Sequence, residues 1–293
     1  MNLHRLSLFV RVVDEGGFTA AARALGLPKS AVSQAVSRLE RELGVSLLHR
    51  SSRAVTVTDA GATLHRSAAP ALRALDDAEH AVTDAQGPLR GLVRLTAPVE
   101  VATRLLERHL ARFLLENPGV RIELSLTTRV VDLAEEGIDL AVRGGPVVDE
   151  GLVARRLGVH DAGLFASPEY LRRRGTPRRV AQLAEHDCVV YRATAGRTTW
   201  TLSSKRKVER VEVPARLGVD QFGYILAAVR DGVGIGLLPL FMGEPEVLER
   251  KLVRVLPSHS LRAKPLHLLY PAGRYLSRPV AALRDCLLAA LGP

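Results

Sequence analysis

Apolar positions recur at the helical period from the start of the chain. Leu3, Leu6, Phe9, Val10 and Val13 share one face and predict a helix over 3–15. A short second helix follows, with Thr19 as its N-cap, Leu25 as its last residue and Gly26 as a left-handed stop. A third runs from Lys29 to Leu43 and ends at Gly44. Val32, Val36, Leu39 and Leu43 form its apolar stripe; Lys29, Ser30, Ser33, Gln34 and Ser37 occupy its other faces. From Arg50 to Thr58 the alternation shortens to two. This predicts a small hairpin with Arg53 near its tip and Val55 and Val57 inward.

Thr58 then caps a long helix reaching about Gln86. Leu64, Ala68, Ala71, Leu75, Ala78 and Val82 recur along it in steps of four and three, a seam narrow enough for one partner helix. Gln86-Gly87-Pro88 breaks the helix as an interdomain hinge. Beyond it, strand and helix alternate. Strands are expected at Leu92–Leu95, Val120–Leu126 and Ile138–Val142, with helices at Val101–Leu115 and Val130–Glu136. A second set comprises strands Gly163–Ala166, Cys188–Tyr191, Arg216–Val219 and Gly234–Leu238, with helices from Pro168 and over Phe222–Arg230. Leu266–Tyr270 and a helix over Pro279–Leu291 end the chain. This rhythm predicts mainly parallel sheets.

Two short helices, a tight turn between them and a basic hairpin after them compose a winged helix-turn-helix, the geometry of a major-groove reader. On that reading Lys29, Ser30, Ser33 and Gln34 meet base edges, and Ser37 or Arg38 reaches phosphate. Arg50 and Arg53 lie along the backbone, with Arg53 near the minor groove. The alternatives are a solvated helix face and a solvated hairpin.

Charge adds less than it first promises. The net charge is +10, but residues 1–90 hold 11 Lys+Arg against 9 Asp+Glu. Most of the excess lies elsewhere, so the nucleic-acid reading rests on the motif. The runs Arg172-Arg173-Arg174, Arg178-Arg179 and Lys205-Arg206-Lys207 read as solvated faces. Two cysteines, Cys188 and Cys286, imply no disulfide framework. His4, Arg5 and Arg11 interrupt the first thirteen residues, which do not read as a signal peptide, and no apolar run is long enough for a membrane span. A cytoplasmic protein is expected. The histidines are scattered, so no metal site is expected; no cofactor motif stands out either. Gly232-x-Gly234-x-Gly236 leads into a strand and not from strand to helix, unlike a dinucleotide loop.

Several stretches together resemble the LysR-type transcriptional regulators, in particular their CrgA-like branch. In the N-terminal region these are Ala20-Ala21-Ala22, Ala31-Val32-Ser33, Leu39-Glu40-Arg41-Glu42-Leu43-Gly44, Leu47-Leu48-His49-Arg50 and Val57-Thr58-Asp59-Ala60-Gly61. Looser matches follow at Arg129–Leu133, Gly137–Arg143, Leu152–Leu157 and Gly232–Pro239. Pro28 departs from the family's usual capping Ser, and Gln34 from a frequent Arg; Gln suits adenine where Arg suits guanine.

The resemblance implies an α/β chain with an α-rich winged helix-turn-helix at 1–58, a linker and dimerisation helix with hinge at 59–90, and a two-lobed effector domain at 91–293. That domain resembles a type-2 periplasmic-binding-protein fold, with lobe one at 91–161 and 268–293 and lobe two at 162–267. Such clefts bind ligands at strand ends and helix N-termini. Thr96, Ala97, Pro98, Val99, Thr127, Thr128 and Arg143 are the lobe-one candidates for a small-molecule effector; Tyr191, Trp200 and Asp220 are those of lobe two, Asp220 alternatively capping the helix from Gln221. The implied partners are double-stranded DNA and a small-molecule effector. The implied assembly is a dimer through the linker helix and a homotetramer overall. No catalysis is expected. Two other classes remain: a solute-binding protein of the same lobe fold, opposed by the ninety additional N-terminal residues, and an enzyme with an appended DNA-binding domain, opposed by the lack of a catalytic constellation.

Overall fold

The computed structural model describes residues 2–50, 55–83, 87–147, 149–158, 161–193, 196–205, 207–261, 265–273 and 276–293, without the side chains of 50, 73–74 and 76–83. Three helices, α1 (Leu3–Asp14), α2 (Phe18–Leu25) and α3 (Lys29–Leu43), pack mutually and are followed by β1 (Leu48–Arg50) and β2 (Val55–Val57). Asn2 caps α1 by accepting the N–H of Arg5. The α2 cap is Gly17 and not Thr19, and the helix starts at Phe18. Phe18 is thereby buried in the unit's core. Gly26 and Gly44 adopt the expected left-handed stops. Pro28 precedes α3 without a side-chain cap bond. The core collects Phe9, Val32, Val36 and Leu39 at zero exposure, while Leu3 is 56% exposed and drops out of the α1 face. Val55 packs against this core, but Val57 is 37% exposed.

Helix α4 (Asp59–Thr83) is capped by Thr58, whose Oγ1 accepts the N–H of Gly61 and donates to the carbonyl of Ser46. Gly61 sits where β1 crosses the first turn. A Cβ there would lie 2.1 Å from the carbonyl oxygen of Leu47. The expected seam divides. Leu64 and Ala68 pack into the chain's own N-terminal core, with Ala69 and Leu72 beside them. Ala71 and Leu75 are exposed, Leu75 by 51%. The side chains of Ala78 and Val82, and the expected end at Gln86, lie outside the described residues. Pro70 stands inside the helix.

The first C-terminal sheet has the order β4-β3-β5-β13-β6. Its strands are β3 (Arg90–Ala97), β4 (Gly119–Leu126), β5 (Leu140–Gly144), β6 (Leu152–Arg156) and β13 (Leu266–Pro271). After β3, α5 (Val99–Val101) runs through a wide π turn (Ala102–Leu106) into α6 (Glu107–Glu116). α10 (Arg278–Leu291) packs on the same side, and the two helices cover Leu95, Leu140 and Leu268.

The second sheet has the order β12-β7-β11-β8-β10-β9. Its elements in chain order are β7 (Ala162–Ala166), α7 (Pro168–Arg174), a 3₁₀ turn (Val180–Glu185), β8 (Cys188–Tyr191), β9 (Arg197–Ser203), β10 (Val208–Val219), α8 (Phe222–Arg230), β11 (Ile235–Pro239), α9 (Leu240–Leu248) and β12 (Val253–Val255). Gly236 lets α8 rest on β11: a Cβ there would meet Val229 at 2.5 Å, a packing reason for this glycine.

Both sheets are mixed, a correction to the mainly parallel expectation. β3 runs parallel to β4 and β5, but β13 returns from the second lobe antiparallel to β5 and β6. β8 is flanked by parallel β10 and β11; outside them β9 pairs antiparallel with β10, β7 with β11, and β12 with β7. The expected helix at Val130–Glu136 is a set of turns. Asp132 accepts the N–H groups of Ala134 and Glu135, and Gly137 turns left-handed, so the segment closes locally. The return crossing falls between Leu261 and Leu266, which already lies in the first sheet, ahead of the division expected at 268.

We expect Gly61→Ala to destabilise the N-terminal unit by about 1–3 kcal/mol or more, because backbone must move. Calorimetry of the full chain checks this: the transition of the N-terminal unit shifts down and that of the sheets does not.

Candidate nucleic-acid interface and interlobe cleft

The helical period disposes α3. With Val32, Val36 and Leu39 buried, Lys29, Ser30, Gln34 and Arg38 are exposed and Ser33 and Ser37 half-exposed. Ser33, Gln34, Ser37, Arg38 and Arg41 line an open concavity of about 320 Å³. Ser37 donates its hydroxyl to the carbonyl of Ser33 at 2.9 Å, and Arg41 Nε reaches the carbonyl of Ser37 at 3.4 Å. Arg41 joins this surface although the sequence reading passed over it; its step of four from Ser37 was the available signal. Glu40 ties the helix to the wing: its Oε1 accepts the N–H groups of Leu47 at 2.8 Å and Leu48 at 3.2 Å. Arg53 and the Arg50 side chain lie outside the described residues.

Residues 3–62 match the family model described as bacterial regulatory helix-turn-helix protein, lysR family, and residues 86–292 match that of the LysR substrate binding domain. The chain belongs to the LysR family. This LysR-family chain is 35% identical over 292 residues to the HTH-type transcriptional regulator PtxR of Pseudomonas aeruginosa, covering all of this chain and 94% of PtxR. The structure of CrgA from Neisseria meningitidis superposes over the full length of both chains with a TM-score of 0.64 at 29% identity. Full-length AphB, a virulence activator of Vibrio cholerae, covers 99% of this chain and all of its own with a TM-score of 0.64 at 26% identity. The chain is therefore a DNA-binding transcriptional regulator with an effector-binding domain, and its relatives are named as regulators, not enzymes.

In the LysR substrate-binding domain the candidate effector residues separate into groups. Thr96 is fully buried; its Oγ1 donates to the carbonyl of Ser125 and accepts from Arg143 at 2.9 Å. Arg143 also donates to the carbonyls of Val142 and Arg129. Burial holds its guanidinium below the ordinary value, with the charge of Glu136 opposing. No carboxylate lies within 4.0 Å of it among the described residues. Ala97 is buried, and its carbonyl accepts the N–H of Thr127, while Thr128 is exposed. Pro98 and Val99 are half-buried at the start of α5.

On the second lobe Tyr191 stacks on Phe222 at 4.7 Å between ring centroids, and the Arg192 guanidinium lies over the Tyr191 ring at 5.2 Å. Trp200 does not join this wall. It is 5% exposed in the core on one face of the second sheet, with Tyr170 and Leu183, its register opposite Val211 placing both on that face. Asp220 is exposed, and the cap of α8 is Gln221, with no side-chain cap bond. A cavity of about 250 Å³ lies between the lobes, lined among others by Val99, Glu100, Thr103, Gln221 and Gly223. Apart from Val99 these residues escaped the sequence reading, because the facing lobe supplies half of them.

Arg172 and Arg178 are exposed; Arg173 donates to the carbonyl of Gly232 and Arg174 pairs with Asp187. No group of three His, Cys, Asp or Glu side chains suited to a metal occurs among the described residues, and no helix among them is long and apolar enough to cross a membrane.

Burial pushes the Cys188 thiol up to about 12, with Asp187 adding to the rise; burial also raises Cys286. We expect iodoacetamide at pH 8 to leave Cys188 unmodified in the folded protein and to alkylate it in urea, as read by peptide mass spectrometry.

Proposed function

We propose that this regulator recognises a specific double-stranded operator by laying α3 in the major groove. The observation that carries this is the α3 surface: a polar row of Ser33, Gln34, Ser37, Arg38 and Arg41 backed by a fully buried stripe. In this reading Lys29, Ser30, Ser33 and Gln34 meet base edges, and Ser37, Arg38 and Arg41 reach phosphates. Arg50 and Arg53 of the wing follow the flanking backbone. The operative divisions are 1–58 for DNA reading, 59–90 for the linker and 91–293 for the effector domain.

The linker helix α4 forms the dimer, with the exposed Ala71 and Leu75 as contact points, and two dimers compose a homotetramer acting in the cytoplasm. The effector is a small molecule held between the lobes. Thr96, Ala97, Pro98, Val99, Thr127, Thr128 and Arg143 supply one wall, and Tyr191 and Asp220 the other. A ligand that binds one lobe arrangement better than another shifts the spacing of the DNA-reading heads.

Footprinting on the intergenic DNA upstream of the chain's own gene, at two salt concentrations, tests the reading. Protection in two regions at helical-turn spacing that weakens with salt supports it, and binding indifferent to sequence overturns it. Gln34→Ala is expected to relax discrimination at one operator base pair by about 1–3 kcal/mol. Arg41→Ala is expected to weaken binding uniformly and to reduce the salt slope by about one.

A further inference from the structure

Helix α8 begins at Phe222 with an open amino end. Its cap residue Gln221 makes no side-chain bond, and its first turn holds no acidic residue. The group that fills this end comes from the other lobe. Glu100, in α5, accepts the N–H of Gly223 through Oε1 at 3.2 Å. Glu100 is only 7% exposed, and no cationic side chain lies within 4.0 Å of it among the described residues. Arg230, which lines the same cavity, is engaged with Glu246 at 3.4 Å. The positive end of α8 is therefore the counter-charge of this carboxylate. A buried carboxylate with a single hydrogen bond is costly unless something compensates it, and the compensation exists only while the lobes stand as they do here.

The segment bearing Glu100 is itself specialised. The three-residue α5 passes directly into the π turn, and Thr103 in that turn donates to the carbonyl of Val99 at 2.9 Å. A π turn inserts an extra residue and re-aims what precedes it; such turns recur at functional sites.

We propose that Glu100 is a positioning residue that clamps the two lobes by capping α8 across the cleft. A molecule entering between Val99–Thr103 and Gln221–Gly223 exchanges with this bond, so the clamp sets which lobe arrangement the DNA-reading heads experience before any effector arrives. This last step rests on the proposed coupling between lobes and DNA; the clamp itself does not.

Hydrogen exchange with mass spectrometry on the full-length protein separates the two. In Glu100→Ala, peptides spanning 97–104 and 218–226 are expected to exchange faster together, by about tenfold or more, with β3 and β8 unchanged. Glu100→Gln keeps the acceptor but not the charge and is expected to fall between; it carries the test where the alanine variant fails to fold. Exchange unchanged on either wall overturns the clamp. Faster exchange confined to 218–226 makes Glu100 a local cap and also overturns it. With the exchange result in hand, footprints of both variants are taken on a genomic fragment bound by the wild type. An altered protected span supports the coupling; an identical span overturns the coupling and leaves the clamp standing.

Discussion

Helix α3 can bury only one face, and the choice of that face decides what the rest of the N-terminal unit is for. Val32, Val36 and Leu39 are fully enclosed by α1 and α2. The hydrophobic gain of enclosing three branched side chains exceeds anything the polar row opposite contributes to stability. That row contributes little to the core and stands exposed or half-exposed on the surface. Glu40 adds the second constraint. Its carboxylate fastens the chain at Leu47 and Leu48 to α3, so the start of β1 is held against that helix.

Legibility in the sequence followed the range of the forces involved. The three N-terminal helices were readable because their periodicity is local and strong, down to the glycines that stop α2 and α3. Thr19 failed as a cap because burying Phe18 outweighed a hydroxyl cap. β6, β9, α9 and β12 went unseen. β9 is polar and is sustained by its long pairing with β10, and α9 carries both Gly243 and Pro245, which argue against a helix until Phe165 packs beneath it. The turns at 130–136 looked helical by composition, but Asp132 closes on its own backbone neighbours.

The cleft was the least legible part, because its chemistry is assembled across two crossings of the chain. Arg143 and Thr96 stand at strand ends and bond to each other, but neither is among the residues lining the interlobe cavity. Trp200 lay near such an end in sequence yet belongs to a core, since strand register and not sequence position chooses the face. Glu100 gave no signal at all. A glutamate early in a helix suits that helix's own amino end, and nothing local says that it serves a different helix 123 residues away.

Pro70 has a mechanical meaning. It lacks the N–H that would close the helical bond to Arg66, so α4 has a softer joint among the residues moored to the N-terminal core, between Ala69 and Leu72. The core contacts on both sides of it, Ala69 before and Leu72 after, hold the helix in place across the missing bond. A long helix that would otherwise behave as a stiff rod thus has one point where bending costs less, and that point is braced from the side by the unit it leaves.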